Sequence, residues 1–270
     1  MMVSPPSPEV LCMEDTSLAP SSDSLFDYEG EEDSVVVFIG SEKSFVPNCE
    51  YHSRLTSSSA DDSARDSAIS WILKVHEAYE FQPLTAYLAV NYMDRYLSNG
   101  KLPKEEGWAM QLLSLACLSL AVKMEETVIH YLCDLQIGTP KCVFEGKTVR
   151  RMELTVLSQL DWRLRSVTPF NFIEFFAHKV DLAGGCVGFL KLRASQIIIS
   201  NIKESNLLTY FPSSIAISAV LCAASEIPTL PRVAVEEAGL WCDGLSKDNI
   251  AGCYDFMRNV RSSRKRKVDD

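Results

Sequence analysis

The stretch LLSLACLSLAVKMEE, residues 112–126, decides the fold class of this chain. Almost every residue from Leu112 to Val122 is apolar or small, so a helix there has no polar face to turn towards water and must be enclosed by other helices. Its apolar part, about eleven residues, is shorter than the roughly 18–20 residues that span a bilayer. The stretch therefore predicts the central helix of an all-α bundle, which ends at a charged rim beginning with Lys123.

The flanking segments have the apolar periodicity of further helices. Pro83 favours the start of one helix, and Asn99-Gly100 favours its end. No segment alternates between apolar and polar residues with a period of two, so no sheet is expected. Around the central helix, which should begin after Pro103, the predicted helices cover about 62–81, 83–99, 129–135 and 145–160.

The second half of the chain repeats this arrangement. Helices are predicted after Thr168, over 187–206 and after Pro212, where SSIAISAVLCAASE is again apolar or small on all sides. A shift of 102 residues superimposes apolar positions of the two enclosed helices: Leu118 on Val220, Leu120 on Cys222 and Ala121 on Ala223. The pattern predicts a duplicated five-helix unit. The second copy has Ser225, Ile227 and Pro228 at its rim, so only the first unit carries a lysine there.

Acidic residues concentrate at the N-terminus. Residues 1–45 contain ten acids and one base, Lys43, among many Pro and Ser residues, and this composition predicts disorder. The apolar run SVVVFIG, residues 34–40, interrupts the pattern as either a transient strand or a docking segment. The predicted organisation is an acidic tail over 1–45, a first unit over 46–167, a second unit over 168–260 and a basic tail over 261–270.

Composition also excludes several classes of protein. The net charge is −10, but residues 46–270 carry 26 acids and 25 bases and no basic stripe, so nucleic acid is not an expected partner. No secretory or membrane-spanning segment is predicted. The nine cysteines lack a CxxC pair and are expected to be reduced, without a metal site. No catalytic set of residues is present, so neither an enzyme nor a cofactor is predicted.

Two pairs of opposite charges are candidates for specific roles. Arg65 and Asp94 each interrupt an amphipathic helix, and they would either form a bidentate ion pair between the two helices or remain solvated. Lys123 ends the central helix, and Glu153 lies in the fifth. They would either form an internal salt bridge or project together to hold the backbone of a partner.

Five motifs occur in the order in which cyclins carry them, and the similarity is greatest to plant D-type cyclins, over about residues 46–260. They are RDSAISWILKV (65–75), LAVNYMDRYLS (88–98), LACLSLAVKMEE (115–126), VRRMELTVLSQLDWRL (149–164) and VTPFNFIEFF (167–176). The resemblance implies two tandem cyclin folds and a regulatory subunit that activates a cyclin-dependent kinase. It implies that Arg65 and Asp94 tie the first two helices together. It assigns kinase contact to Lys123 and Glu153, with Trp162 near the same face.

The same resemblance implies two further docking sites. D-type cyclins carry Leu-x-Cys-x-Glu near the N-terminus, which docks on retinoblastoma-related pocket proteins; here the three positions are Val10, Cys12 and Glu14. Many cyclins have a hydrophobic patch on the first helix for substrates and kinase inhibitor proteins. Here that patch is degraded, and weak binding of Arg-x-Leu motifs is expected, because its positions are Ala64, Ser67, Ala68 and Trp71.

The C-terminal run Arg264, Lys265, Arg266 and Lys267 resembles a nuclear import signal or is a solvated basic end. The expected function is therefore a nuclear cyclin that directs a kinase to a retinoblastoma-related protein at the G1/S transition. The alternative is a cyclin-fold transcription factor that contacts DNA. That alternative requires a basic face on the helical part, which the sequence lacks.

Overall fold

A computed structural model describes residues 27–100, 107–128, 135–136 and 144–268. All regular elements in these ranges are helical, and the chain forms two units, each built around one enclosed helix. The α-helices are α1 Asp27–Ser41, α2 Cys49–Ser57, α3 Ser59–Tyr79, α4 Pro83–Asn99, α5 Gly107–Glu125, α6 Gly146–Gln159, α7 Phe170–Val180, α8 Val187–Asn201, α9 Pro212–Ala224, α10 Val235–Ala238 and α11 Lys247–Val268.

Helix α5 is the centre of the first unit. It packs against α3, α4 and α6, and every residue from Leu112 to Val122 is buried. The helix is longer than its apolar core, with 19 residues, so the sequence argument that it is too short for a bilayer was wrong. Within the described residues α5 is one helix with the length and composition of a membrane span, and 67% of its most apolar window is buried inside the protein. Packing inside the bundle therefore accounts for its apolar character. The helix predicted over 129–135 falls almost wholly outside the described residues.

Helix α9 has the same place in the second unit. All of its residues are buried, and α7, α8 and α11 pack around it. The correspondence of α5 with α9 is the duplication that the sequence predicted. The helix predicted over 187–206 ends earlier, at Asn201, and a short 3-10 turn follows over Ser205–Thr209.

The predicted disorder of residues 1–45 is corrected for its second half. Residues 27–41 form α1, and Glu42–Phe45 form a 3-10 turn. Val35 and Ile39 are buried in the core of the second unit, and the ring of Phe38 meets that of Phe172 at 6.2 Å. The run SVVVFIG is therefore helical and docks within its own chain. The sequence did not predict this helix, because the surrounding acidic residues are typical of disorder and the helix is stabilised by packing against α7 rather than by its own residues.

Helix α2 follows α1 and its 3-10 turn along the chain, and it was not predicted. Asn48 caps it by accepting a hydrogen bond from the backbone N–H of Glu50 at 3.2 Å. Tyr51 and Leu55 are buried against the first unit. Only these two of the nine residues of α2 are buried, and two core positions are too few to predict a helix from sequence.

Candidate functional site

The structure brings Arg65 of α3 and Asp94 of α4 together in the interior. Arg65 Nε donates to Asp94 Oδ1 at 2.8 Å, and Arg65 Nη2 donates to Asp94 Oδ2 at 2.9 Å. The two side chains are 1% and 2% exposed, so neither charge is solvated. Burial by itself would lower the pKa of the Arg65 guanidinium, but the carboxylate of Asp94 raises it overall. The pair is a bidentate, charge-assisted connection between the two helices.

Further hydrogen bonds extend this pair to α2 and to the second unit. Tyr51 donates its hydroxyl to Asp94 Oδ1 at 2.9 Å, and burial beside Asp94 raises the pKa of that phenol. Arg65 Nη1 donates to the carbonyl of Lys203 at 2.8 Å, and Nη2 lies 3.4 Å from that of Ile202. One guanidinium thus connects α3 and α4 to the end of α8. Sequence reasoning missed Tyr51 and the two carbonyls, because none of them lies in a recognisable spacing with Arg65.

Lys123 and Glu153 meet at the edge of the first unit. Lys123 Nζ donates to Glu153 Oε1 at 2.6 Å across the contact between α5 and α6. The Lys123 side chain is 39% exposed, whereas that of Glu153 is 9% exposed. The pair is an internal salt bridge in the free chain, and its lysine end faces solvent. The internal salt bridge, one of the two sequence-based alternatives, is thus present, and contact of the pair with a partner stays a prediction.

Exposed apolar side chains surround this ion pair in the sequence. Met124 follows Lys123 and is 38% exposed, and Leu154 follows Glu153 and is 57% exposed. Val128, near the end of the same rim, is 64% exposed. The sequence analysis did not select these three residues, since a helical pattern does not show which apolar residues lack a partner. Apolar side chains beside a half-exposed ion pair are typical of a protein-binding surface.

The two rim glutamates have a different environment. Glu126 Oε1 accepts from the backbone N–H of Gln82 at 2.8 Å and from the hydroxyl of Thr85 at 2.6 Å, so it caps the start of α4. Burial, together with the nearby charge of Glu126, raises the pKa of the Glu125 carboxyl. Beside Glu125, a groove of about 420 Å³ opens between the two units, with Met124 in its lining. The rim therefore combines a structural cap, Glu126, with a recess lined in part by Met124 and Glu125.

Trp162 lies just beyond the end of α6. Asp161 and Trp162 have φ angles of 52° and 59°, in the left-handed region that residues other than glycine seldom occupy. The backbone N–H of Trp162 donates to the carbonyl of Leu157 at 2.9 Å, which stabilises this turn. The residue is 68% exposed. A large aromatic side chain held outward by strained backbone is a feature of functional sites, and kinase contact by Trp162 stays a prediction.

The four positions predicted to form a degraded docking patch lie along α3. Ala68 is buried, Ala64 is half-buried, and Ser67 is exposed with its hydroxyl donating to the carbonyl of Ser63 at 2.9 Å. Trp71 is half-buried and packs against the core of the first unit. The described surface at these four positions offers little apolar area beyond part of Trp71.

Two of the predicted sites lie wholly or partly outside the described residues. Val10, Cys12 and Glu14 lie outside the described residues. The backbone of residues 264–267 continues α11, and the structure does not describe the side chains of Arg264, Lys265, Arg266 and Lys267. The basic run is thus a continuation of a helix at the backbone level, and its role in nuclear import stays a prediction.

Comparisons with known proteins agree with this geometry. The family model described as cyclin, N-terminal domain, matches residues 33–165, and cyclin, C-terminal domain, matches residues 167–269. The chain is 52% identical to Cyclin-D1-1 of Arabidopsis thaliana over 258 residues, which cover 93% of this chain and 76% of that protein.

Two solved structures have a similar fold. A viral cyclin from herpesvirus saimiri matches with a TM-score of 0.62 at 18% identity, covering 73% of this chain and 85% of the other. A chain of the yeast RNA Pol II CTD kinase CTDK-1 complex matches with a TM-score of 0.60 at 17% identity, covering 80% of this chain and 72% of the other.

The two tandem domains define the class of this protein as helical regulatory subunits rather than enzymes. The chain belongs to the cyclin family, within its plant D-type group. These matches favour a regulatory subunit over the DNA-contacting transcription factor considered as the alternative.

Proposed function

We propose that this cyclin binds and activates a cyclin-dependent kinase through the surface around Lys123 and Glu153. The observation that carries the proposal is an ion pair with a 39% exposed lysine, 2.6 Å between Nζ and Oε1, next in sequence to the exposed Met124 and Leu154. Family membership supports it, as does the similar fold of a chain from a yeast kinase complex. We call the set Lys123, Met124, Val128, Glu153 and Leu154 the rim surface.

The hydrogen-bonding groups of Lys123 and Glu153 suit binding to backbone groups of a partner. Lys123 has three N–H donors and Glu153 has two acceptor oxygens, and their mutual hydrogen bond uses one of each. An ion pair with a 39% exposed lysine adds only about 0–1 kcal/mol to folding stability. The remaining donors of Lys123 would bind carbonyl groups of a partner helix, and the second oxygen of Glu153, which is 9% exposed in the free chain, would accept from its N–H groups. The neighbouring apolar side chains would supply the buried area.

Activation would follow from selective binding. A protein kinase is active when the glutamate of its αC helix pairs with its strand lysine. A rigid helical surface that binds only the helix-in conformation shifts the population towards that conformation. Moving the equilibrium from about 1:99 to 99:1 requires about 5.5 kcal/mol of differential binding. The buried Arg65–Asp94 pair helps to keep the cyclin scaffold rigid enough to supply it.

Co-purification with a kinase tests this proposal. We expect Lys123→Ala combined with Glu153→Ala to abolish co-purification and kinase activation while circular dichroism stays unchanged. The matched control is Lys191→Ala with Glu174→Ala, which removes an exposed ion pair of the same 2.6 Å length in the second unit. Kinase recovery equal for both double variants would refute the proposal.

We also propose that the N-terminal motif delivers the kinase to a retinoblastoma-related protein. In an extended segment Val10, Cys12 and Glu14 project to the same side, so one groove can accept all three. Valine in place of leucine removes a methylene worth about 0.8 kcal/mol, or about fourfold in affinity. We expect Val10→Leu to strengthen binding of the pocket protein by about fourfold, measured by titration. Equal affinity of the two chains would contradict this assignment.

The degraded patch would leave inhibitor proteins and Arg-x-Leu substrates with weak binding. The buried Ala68 and the exposed, hydrogen-bonded Ser67 support this expectation. A peptide titration that gave ordinary cyclin affinity would refute it. We further propose action at the G1/S transition in the nucleus, and replacement of residues 264–267 by alanine should shift the protein to the cytoplasm.

A further inference from the structure

A polar pocket of about 240 Å³ lies where the ends of α4 and α6 meet the 3-10 turn that follows α1. Of its ten lining residues, two are arginines, Arg95 and Arg163, and one is an acid, Asp161. Serine and amide side chains, among them those of Ser44 and Asn48, supply most of the rest. None of the ten belongs to the rim surface. The pocket is thus distinct from the proposed kinase contact and carries an excess of positive charge.

Arg95 of α4 is buried without an acidic partner. The residue is 6% exposed, and its Nη1 atom donates to the carbonyl of Arg163 at 3.1 Å and to the hydroxyl of Ser166 at 3.0 Å. It forms no ion pair with a carboxylate of the described residues. Burial lowers the pKa of its guanidinium, and the nearby positive charge of Arg163 lowers that pKa further. Buried arginines are nearly always paired, so Arg95 lacks a counter-charge that its position calls for.

Arg163, in the segment after α6, supplies the second positive charge. It is exposed, and its Nη2 atom donates to Ser44 Oγ at 2.8 Å. Both guanidinium groups lie over the ring of Phe45, that of Arg163 at 4.7 Å and that of Arg95 at 5.4 Å from its centre. In the described part of the chain no carboxylate pairs with Arg163 either. Two like charges beside one ring repel each other, and an anion bound in the pocket would offset that repulsion.

The fold holds the walls of this pocket in place before any ligand binds. Helix α4 fixes the backbone that carries Arg163, through Arg95 and through the hydroxyl of Tyr92, which donates to the carbonyl of Leu164 at 2.7 Å. On the opposite wall, Ser44 Oγ donates to the carbonyl of Ser41 at 2.8 Å while it accepts from Arg163. A preformed site loses little conformational freedom on binding, which favours affinity for a small ligand.

We propose that this pocket binds a phosphate group, carried by a phosphorylated serine or threonine or present as free phosphate. Each guanidinium has five N–H donors, and only three hydrogen bonds to described residues use them. Guanidinium groups match the oxygens of phosphate in geometry and charge. Because Asp161 also lines the pocket, a carboxylate with one charge is attracted less than a phosphate group, which carries nearly two.

Thermal unfolding of the full chain in sodium phosphate measures this binding. A ligand that binds only the folded chain raises the Tm by an amount that increases with ligand concentration and gives the Kd. Sodium phosphate replaces sodium chloride at constant pH and ionic strength, so that general screening of charges does not change. We expect phosphate to raise the Tm of the unaltered chain, and sodium acetate at the same ionic strength to raise it much less.

Two variants change the charge of the pocket in opposite directions. Arg163→Gln is expected to raise the Kd for phosphate about fivefold or more, because charge-assisted donors are lost. Asp161→Asn is expected to lower it about two- to fivefold, because a negative charge leaves the lining. Asparagine tolerates the left-handed φ of 52° at this position. The matched control is Arg258→Gln, which removes another exposed arginine that lies over an aromatic ring, at 5.8 Å from that of Tyr254.

A short peptide with one phosphoserine distinguishes the two sources of phosphate. Binding tighter than that of inorganic phosphate, and absent for the unphosphorylated peptide, would assign the pocket to a phosphorylated protein segment, whereas equal binding would assign it to the free ion. A Tm that does not respond to either probe would overturn the proposal, as would an equal response to acetate. Equal effects of Arg163→Gln and Arg258→Gln, or an unchanged Kd in Asp161→Asn, would also overturn it. Kinase binding enters none of these measurements.

Discussion

Arg65 and Lys123 each pair with a carboxylate on a neighbouring helix, but the two pairs differ in burial and therefore in role. The Arg65–Asp94 pair is 1% and 2% exposed and also holds Tyr51, so its loss leaves an uncompensated charge inside the protein. Lys123 is 39% exposed, whereas its partner Glu153 is 9% exposed and would lose this hydrogen bond if the lysine were removed. The first pair is structural, and for the second we propose a role in binding a partner.

Arg65→Ala is expected to lower the free energy of unfolding by about 3–5 kcal/mol, because Asp94 stays buried without its partner. Lys191→Ala, which opens the exposed pair with Glu174, is expected to cost only about 0–1 kcal/mol. Urea denaturation followed by circular dichroism measures both. Similar losses for the two variants would contradict the structural role.

Glu42 predicts a dependence of stability on pH. Burial raises the pKa of its carboxyl above 4.5, despite the hydrogen bonds from Ser213. A raised pKa in the folded state stabilises the fold at low pH, and that contribution is lost as the pH rises through the raised value. Glu42→Gln has no such loss. We expect the Tm of this variant, relative to the unaltered chain, to increase as the pH rises above 4.5.

The control for this measurement is Glu174→Gln, since Glu174 is exposed on the surface of the second unit. A Tm difference between Glu42→Gln and the unaltered chain that stayed constant, or fell, with rising pH would show that the buried carboxyl does not carry this linkage.

At the scale of elements, local signals were predictable and tertiary ones were not. Helix α4 has the predicted bounds, because Pro83 and Gly100 favour a helix start and a helix end through their own backbone preferences, independently of the rest of the fold. The enclosed character of α5 and α9 followed from composition. Helix α1 was missed because its buried face consists of few residues, among them Val35 and Ile39, and only α7 and its neighbours stabilise it. The sequence could not decide whether Lys123 contacts Glu153, because only the packing of α5 against α6 brings the two side chains together.

Helix α1 offers a direct comparison of two aliphatic residues. Ile39→Ala is expected to destabilise the chain by about 2–4 kcal/mol, since Ile39 is 7% exposed in the core of the second unit. Val37→Ala is expected to change stability by about 0.5 kcal/mol or less, since Val37 is 68% exposed. Thermal unfolding measures the difference. Equal effects would mean that α1 does not pack on the second unit.

At the scale of the whole molecule, the chain holds two similar units with unequal surfaces. The second unit has Ser225 where the first has Lys123, and its neighbour Glu226 is bound by Arg193 and Arg261. At this place the first unit therefore has an ion pair with a 39% exposed lysine, whereas the second unit has an ion pair between one glutamate and two arginines. Sequence alone predicted this asymmetry from the missing lysine, but the exposed Met124 and Leu154 required the folded chain.

The dissociation constant between this cyclin and its kinase, measured by calorimetry, tests the central claim most directly. Lys123→Ala with Glu153→Ala is expected to raise it about tenfold or more, equivalent to about 1.4 kcal/mol, because the grip on the partner's backbone is lost. Lys191→Ala with Glu174→Ala should leave it within about twofold. An unchanged dissociation constant for the Lys123 and Glu153 variant, with the fold intact, would contradict the account.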